Sequence, residues 1–309
     1  MALLALATMA GFATAAPAAP ASTRTPLTWQ ENLAQPASST NIEHSAGATR
    51  VGERLLHPAA QAGATGYGMA LLAPHPLSTP VNQIRATVTD TLPRGARVSV
   101  DVRGQRADGS WTEWTPSTEP LRESTSVLQL RLTMWDNTSG QSPEVRAIHV
   151  SASDHKSSTV AGPYAPAQES HQVYATREGL VGGTTANGHV IVDNDHFVAL
   201  PSGSALSGEG SDDYSVQVCG PSACETAPVW DIGPWNIYDD YWDANRAEFT
   251  DLDQGTPEAQ AAYDDGYNGG VDDMGGTPSN PAGIDLADGT FYDVGLNDNG
   301  YVTVTYLWT

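Results

Sequence analysis

Val229-Trp230-Asp231-Ile232-Gly233-Pro234-Trp235-Asn236 is the stretch from which the fold is read outward. Val229, Trp230 and Ile232 have the apolar character of a buried strand, and Gly-Pro ends that strand in a tight turn. Asp231 is thereby held at the mouth of a fold, just before the chain turns away. Two roles are open to a carboxylate there. It can accept backbone N–H bonds in the turn. Alternatively, beside Trp230 and Trp235, its pKa is raised by apolar surroundings and it does chemistry.

Charge narrows the partners. The 309 residues suffice for about two domains. Residues 1–172 carry 12 basic and 13 acidic side chains, whereas residues 173–309 carry only Arg177 and Arg246 against 23 acidic ones. This argues against nucleic acid or anionic lipid as a partner of the C-terminal part, because phosphate binding needs clustered cations. A neutral or cationic ligand, a bound cation or a solvated acidic surface suits it.

At the other end, Leu3 to Thr14 is an apolar, small-residue run, and Ala13-Thr14-Ala15 fits a small-x-small cleavage site. Residues 1–15 therefore read as a secretory signal peptide, which implies a secreted, extracellular protein. No later run approaches the roughly 18 apolar residues of a membrane span, so no membrane insertion is expected. Residues 16–65, rich in Ala, Ser, Thr and Pro, read as a disordered spacer. Cys219 and Cys224 lack C-x-x-C spacing, and in an oxidising compartment they are expected to close a small disulfide loop at a hairpin tip.

The expected fold is mainly β. Over residues 66–152, Val98, Val100 and Val102 alternate with polar residues, as do Leu128, Leu130, Leu132 and Met134. Ala107-Asp108-Gly109-Ser110 reads as a hairpin turn leading into Trp111 and Trp114, and Asn137-Thr138-Ser139 as a turn. Short strands at this spacing predict a β-sandwich with one face of each strand buried and the other solvated. Residues 153–172 read as a linker, and residues 173–309 as a second β domain ending in the alternation Val302, Val304, Tyr306, Trp308.

Four segments of that second domain carry a resemblance: Thr185-Ala186-Asn187-Gly188, then His196-Phe197-Val198-Ala199-Leu200-Pro201, then Asp231-Ile232-Gly233-Pro234-Trp235, then Gly283-Ile284-Asp285-Leu286-Ala287. In order and content they resemble the double-psi β-barrel of rare lipoprotein A, which is related to expansins and barwin-like endoglucanases. The Gly104–Trp114 stretch resembles, more loosely, β-sandwich modules placed ahead of wall hydrolases in secreted actinobacterial proteins. The resemblance implies a six-stranded double-psi β-barrel with a groove for polysaccharide or peptidoglycan, while the insertion between Asn236 and Ala282 reads as partly helical from Pro257 to Tyr263. It places Asp231 and Asp285 at the family's two carboxylates and His196 close to the family histidine. Phe197 stands at that histidine's own position, and Ile232 replaces the family's Arg.

Glycosidic cleavage needs an acid on the leaving oxygen, and hydrolysis adds a second carboxylate. The expected catalytic set is Asp231 as acid/base, Asp285 as second carboxylate, and His196. Trp235 is expected to line the groove, with Trp230, Tyr241, Trp242 and Asn187 as further substrate contacts, since flat rings with polar rims suit sugars. Asp251-x-Asp253-x-Gly255 and Asp272-Asp273 have the carboxylate density of calcium ligands but complete no EF-hand loop. No metal and no cofactor is expected, and the chain is expected to be a monomer. The leading expectation is a lytic transglycosylase or glycoside hydrolase. The alternatives are a non-catalytic expansin-like glycan-binding module and a secreted protease inhibitor or interaction protein.

Overall fold

The computed structural model describes residues 25–53, 66–154 and 168–309. The expected leader lies outside the described residues, as does most of the expected linker. Ten strands of the N-terminal half form one sheet: β1 (Leu27–Gln30), β2 (Ser38–Thr40), β3 (Ile42–Ser45), β4 (Ala48–Val51), β5 (Tyr67–Leu71), β6 (His75–Thr91), β7 (Arg97–Gly104), β8 (Thr115–Pro116), β9 (Pro120–Trp135) and β10 (Glu144–Ser153). The order is β2-β5-β9-β6-β10-β4-β3, with β7 also on β9 and β1 on β10.

The long β9 links two layers. Its first half pairs with β6 (Thr125 opposite Val81), and its second half runs between β5 and β7, with Leu132 opposite both Ala70 and Val100. Val100, Val102, Leu130 and Leu132 from one layer pack with Ile84, Ile148 and Val150 from the other. The sandwich is thus a single sheet bent across its long strands.

Two expectations are corrected here. The spacer assigned to 16–65 is, in its described part, four strands. Leu27 and Trp29 alternate with Thr28 and Gln30, pair along β10 and pack on the sandwich core. Burial against an open sheet edge orders a Ser- and Thr-rich sequence that has little period of its own. The second correction concerns the solvated face of β9. Gln129, Arg131 and Thr133 are buried together with Leu128, Leu130 and Leu132, because the C-terminal domain covers that face.

The C-terminal domain is a closed barrel of β11 (Ser170–Arg177), β12 (Val198–Leu200), β13 (Ser215–Cys219), β14 (Cys224–Ile232), β15 (Ala282–Leu286) and β16 (Gly300–Tyr306), in the order β11-β15-β12-β14-β13-β16. The pairs β11·β15 and β12·β14 are parallel, and the other four are antiparallel. Val173, Val198, Leu200, Val216, Val229, Ile284 and Val304 fill the interior. The insertion carries α1 (Glu258–Asp265), which stops at the left-handed Gly266, and α2 (Asp288–Asp293) follows β15. Cys219 and Cys224 form the expected disulfide between paired ends of β13 and β14.

The two domains meet through the Trp111–Trp114 hairpin. The Arg103 guanidinium, 2% exposed, lies 4.3 Å from the Trp111 ring centre and 4.4 Å from that of Trp114, and bonds Gln129 Oε1 and Asp213 Oδ2. Arg131 lies over Trp114 at 4.7 Å and pairs with Asp101. Glu113 accepts the indole N–H groups of both Trp242 and Trp308, at 2.8 and 2.6 Å. Trp111 and Trp114 are therefore committed to the seam, where cation–π contacts out of water are worth up to about 2 kcal/mol each.

Candidate active site

Asp231 and Asp285 are brought together by strand register. On β12, Ala199 stands opposite Asp231 of β14 on one side and Asp285 of β15 on the other, and Thr176 of β11 stands opposite Asp285. One row across four strands thus reads Thr176, Asp285, Ala199, Asp231, with the two carboxylates flanking a small alanine.

Glu178, just past the end of β11, joins them, and sequence reasoning missed it. Its N–H donates to the Leu286 carbonyl, which anchors it beside the Asp285 strand. It is 9% exposed, and neither carboxyl oxygen has a donor within the protein. Its carboxyl is instead coupled electrostatically to that of Asp231. Like charges crowded in one buried site disfavour ionisation of both. Burial, then the charges of Asp231, Asp285 and Asp288, hold Glu178 well above the usual carboxylate range.

The other two are also shifted. Burial pushes Asp231 up to about 6, offset by its neighbour Glu178 and by bonds from the Ile232 and Ala186 N–H groups, each at 2.8 Å. Burial pushes Asp285 up to about 7, with the Thr176 hydroxyl donating to it and the Asp231 charge adding to the rise. Asp231 is 2% exposed, whereas Asp285 is only partly buried. Asp285 is therefore the most exposed of the three. Arg177 stands at the rim, bonded to the Tyr292 hydroxyl and 3.7 Å from Asp288.

Several expected site residues are elsewhere. His196 bonds Glu225 Oε1 at 2.7 Å. Glu225 lies six residues along β14 from Asp231, about 20 Å at strand rise, so His196 does not join the carboxylates. The cause is the three-residue spacing to Leu200-Pro201, which puts Phe197 inside. Tyr241 and Trp242 are fully buried in the barrel core, the former donating to the Gly283 carbonyl and the latter to Glu113. Asn187 is buried too. Its side chain accepts from Thr185 and His189, and its amide donates to the Gly208 carbonyl. These three side chains are spent on bonds within the fold.

Trp230 is half-buried against Phe197 and His189, its indole donating to the Ser211 carbonyl. Trp235 remains partly exposed after the cis Gly233-Pro234 bond, its indole tied to Asn280. Leu180, Val181, Val190 and Val192, all exposed, crown the loop between Glu178 and His196.

A cavity of about 1170 Å³ follows the domain seam, lined by Trp114, Arg122, Tyr238, Asp240 and Trp242 among others. Ile232 faces it and Asp231 does not, as alternation along β14 requires. Its own carboxyls have structural partners. Burial lifts Asp240 to about 7, but it accepts from the Ala247 N–H. Burial also raises Glu113, which holds its two indoles. Neither is left without a donor as Glu178 is.

Residues 169–305 match the family model of a domain of unknown function (DUF8814). The match spans the barrel and leaves out the sandwich. No curated protein matches the chain.

Proposed function

We propose that this chain is an exported protein that modifies wall polysaccharide or peptidoglycan, using Asp285 as the acid that protonates the leaving glycosidic oxygen. The observation that carries this reading is the group of three carboxyls from three barrel segments, with no Lys or Arg in direct contact among the described residues, all shifted toward neutral pH. An acid with a pKa near the working pH is the efficient proton donor. Burial, with the neighbouring Asp231 charge adding to it, holds the Asp285 proton in place until transfer. If a sugar hydroxyl attacks, the product is an anhydro sugar; if water attacks, it is a reducing end.

Incubating the full chain with peptidoglycan, chitin and cellulose, followed by mass spectrometry of soluble products, tests this. Product that disappears in Asp285→Asn supports the reading. The absence of product from every polymer overturns it.

A second reading is a glycan-binding protein without catalysis. It is favoured by the near-complete burial of Asp231, by its two backbone N–H bonds, and by a seam cavity that excludes the carboxylates. Sedimentation with a polymer, unchanged in Asp285→Asn and with no product, would select it.

A further inference from the structure

His196 was displaced from the carboxylates by its spacing, and its actual neighbours form a separate cluster. His196 precedes β12, Glu225 lies near the start of β14, and Asp293 ends α2. One ligand atom from each lies within 4.8 Å of the other two. From these three side chains we propose a binding site for a zinc-type divalent transition-metal ion, with a water completing the coordination.

The donor set decides the class of ion. One imidazole with two carboxylates suits borderline metals such as Zn²⁺, whereas an all-oxygen set suits Ca²⁺. Bonds of about 2.0–2.2 Å put tetrahedral ligand atoms about 3.3–3.6 Å apart. His196 Nδ1 and Glu225 Oε1 are already 2.7 Å apart, so modest side-chain shifts close the set around an ion. Three protein ligands leave a position for water.

The surroundings fix the ligands beforehand. The His196 ring lies on the first turn of α2, where a Cβ on Gly289 would come within 2.6 Å of Nε2. Its other nitrogen is thereby turned to Glu225. Glu225 follows Cys224, so the disulfide clamps its strand end. The tip of that hairpin docks on the end of α2, where the Ser222 N–H donates to the Val294 carbonyl, one residue after Asp293. Glu225 Oε1 also accepts from Thr290, while Oε2 is buried with no donor. A carboxylate oxygen held out of water without a donor is costly, and a cation removes that cost. The barrel's two arginines are committed elsewhere, Arg177 to Tyr292 and Arg246 to Asp239.

The experiment is calorimetric titration of the untagged, chelator-treated full chain with zinc chloride in excess calcium, which occupies the general acidic surface. One saturable site per chain is expected. His196→Ala and Asp293→Asn should each weaken it by at least the roughly 10- to 100-fold lost with a mere outer-shell partner, and Glu225→Gln likewise while keeping a hydrogen-bonding group beside His196. Asp264→Asn, far along the insertion, should leave it unchanged, and circular dichroism of the metal-free proteins verifies folding. No saturable event in the parent chain, or equal affinity in His196→Ala and Asp293→Asn, overturns the proposal. Because Asp285 is untouched, glycan turnover stands or falls separately.

Discussion

Buried charge is handled in opposite ways at the domain seam and in the barrel site. At the seam each buried ion has partners: Arg103 has Gln129, Asp213 and two indole faces, and Glu113 has two indole N–H groups. In the barrel, Glu178, Asp231 and Asp285 crowd together with no cation among them, and Glu178 lacks any donor of its own. Those partnered ions hold the domains together. The barrel site stores unfavourable electrostatics, which is what proton chemistry uses and stability does not.

Removing one charge from each region tests that contrast. Arg103→Ala should cost about 3–5 kcal/mol, as breaking a buried pair does, seen as a lower midpoint in urea unfolding. A loss under about 1 kcal/mol would mean that the seam contributes little.

The barrel carboxyls predict a pH dependence of defined sign. The Asp285 pKa rises from 3.8 unfolded to about 7 folded, so the folded chain holds the extra proton in that window. Its contribution to stability is full below pH about 4 and is lost as pH rises to about 7. Asp285→Asn should flatten the fall by up to about 1.4 kcal/mol per pH unit, measured as unfolding free energy at each pH. An unchanged slope would place the proton elsewhere.

Glu178→Gln should stabilise the chain at pH 7, because an amide in this buried site needs no proton to stay neutral. A fall in melting temperature would break the contrast. The smallest effect is expected at Tyr241→Phe. It removes a donor to the Gly283 carbonyl and an acceptor for Tyr306, at about 1 kcal/mol, with no change in polymer sedimentation.

Legibility in the sequence followed local pattern. β14 and its turn were readable from Val229 to Pro234, the helix from Pro257 to Tyr263, and the Asp108-Gly109 hairpin from its turn residues. Glu178 was not. It sits in Thr-Arg-Glu-Gly with no apolar flank, and its partner Asp231 is distant in sequence. The covered face of β9 was misread for a related reason. Gln129, Arg131 and Thr133 have solvent-face composition, and only the docked barrel, with Trp114 beneath the guanidinium, buries them. His196 shows the converse error: a motif matched by type while its spacing sent the ring elsewhere.

The seam also gives the molecule an optical gauge. Of the eight tryptophans, Trp111 and Trp114 stack on Arg103, and Trp242 and Trp308 donate to Glu113. Half of the intrinsic emitters thus share one boundary. Parting of the two domains would expose these rings to water and shift emission to the red while each β domain kept its circular dichroism, so undocking and unfolding can be followed by light alone and told apart.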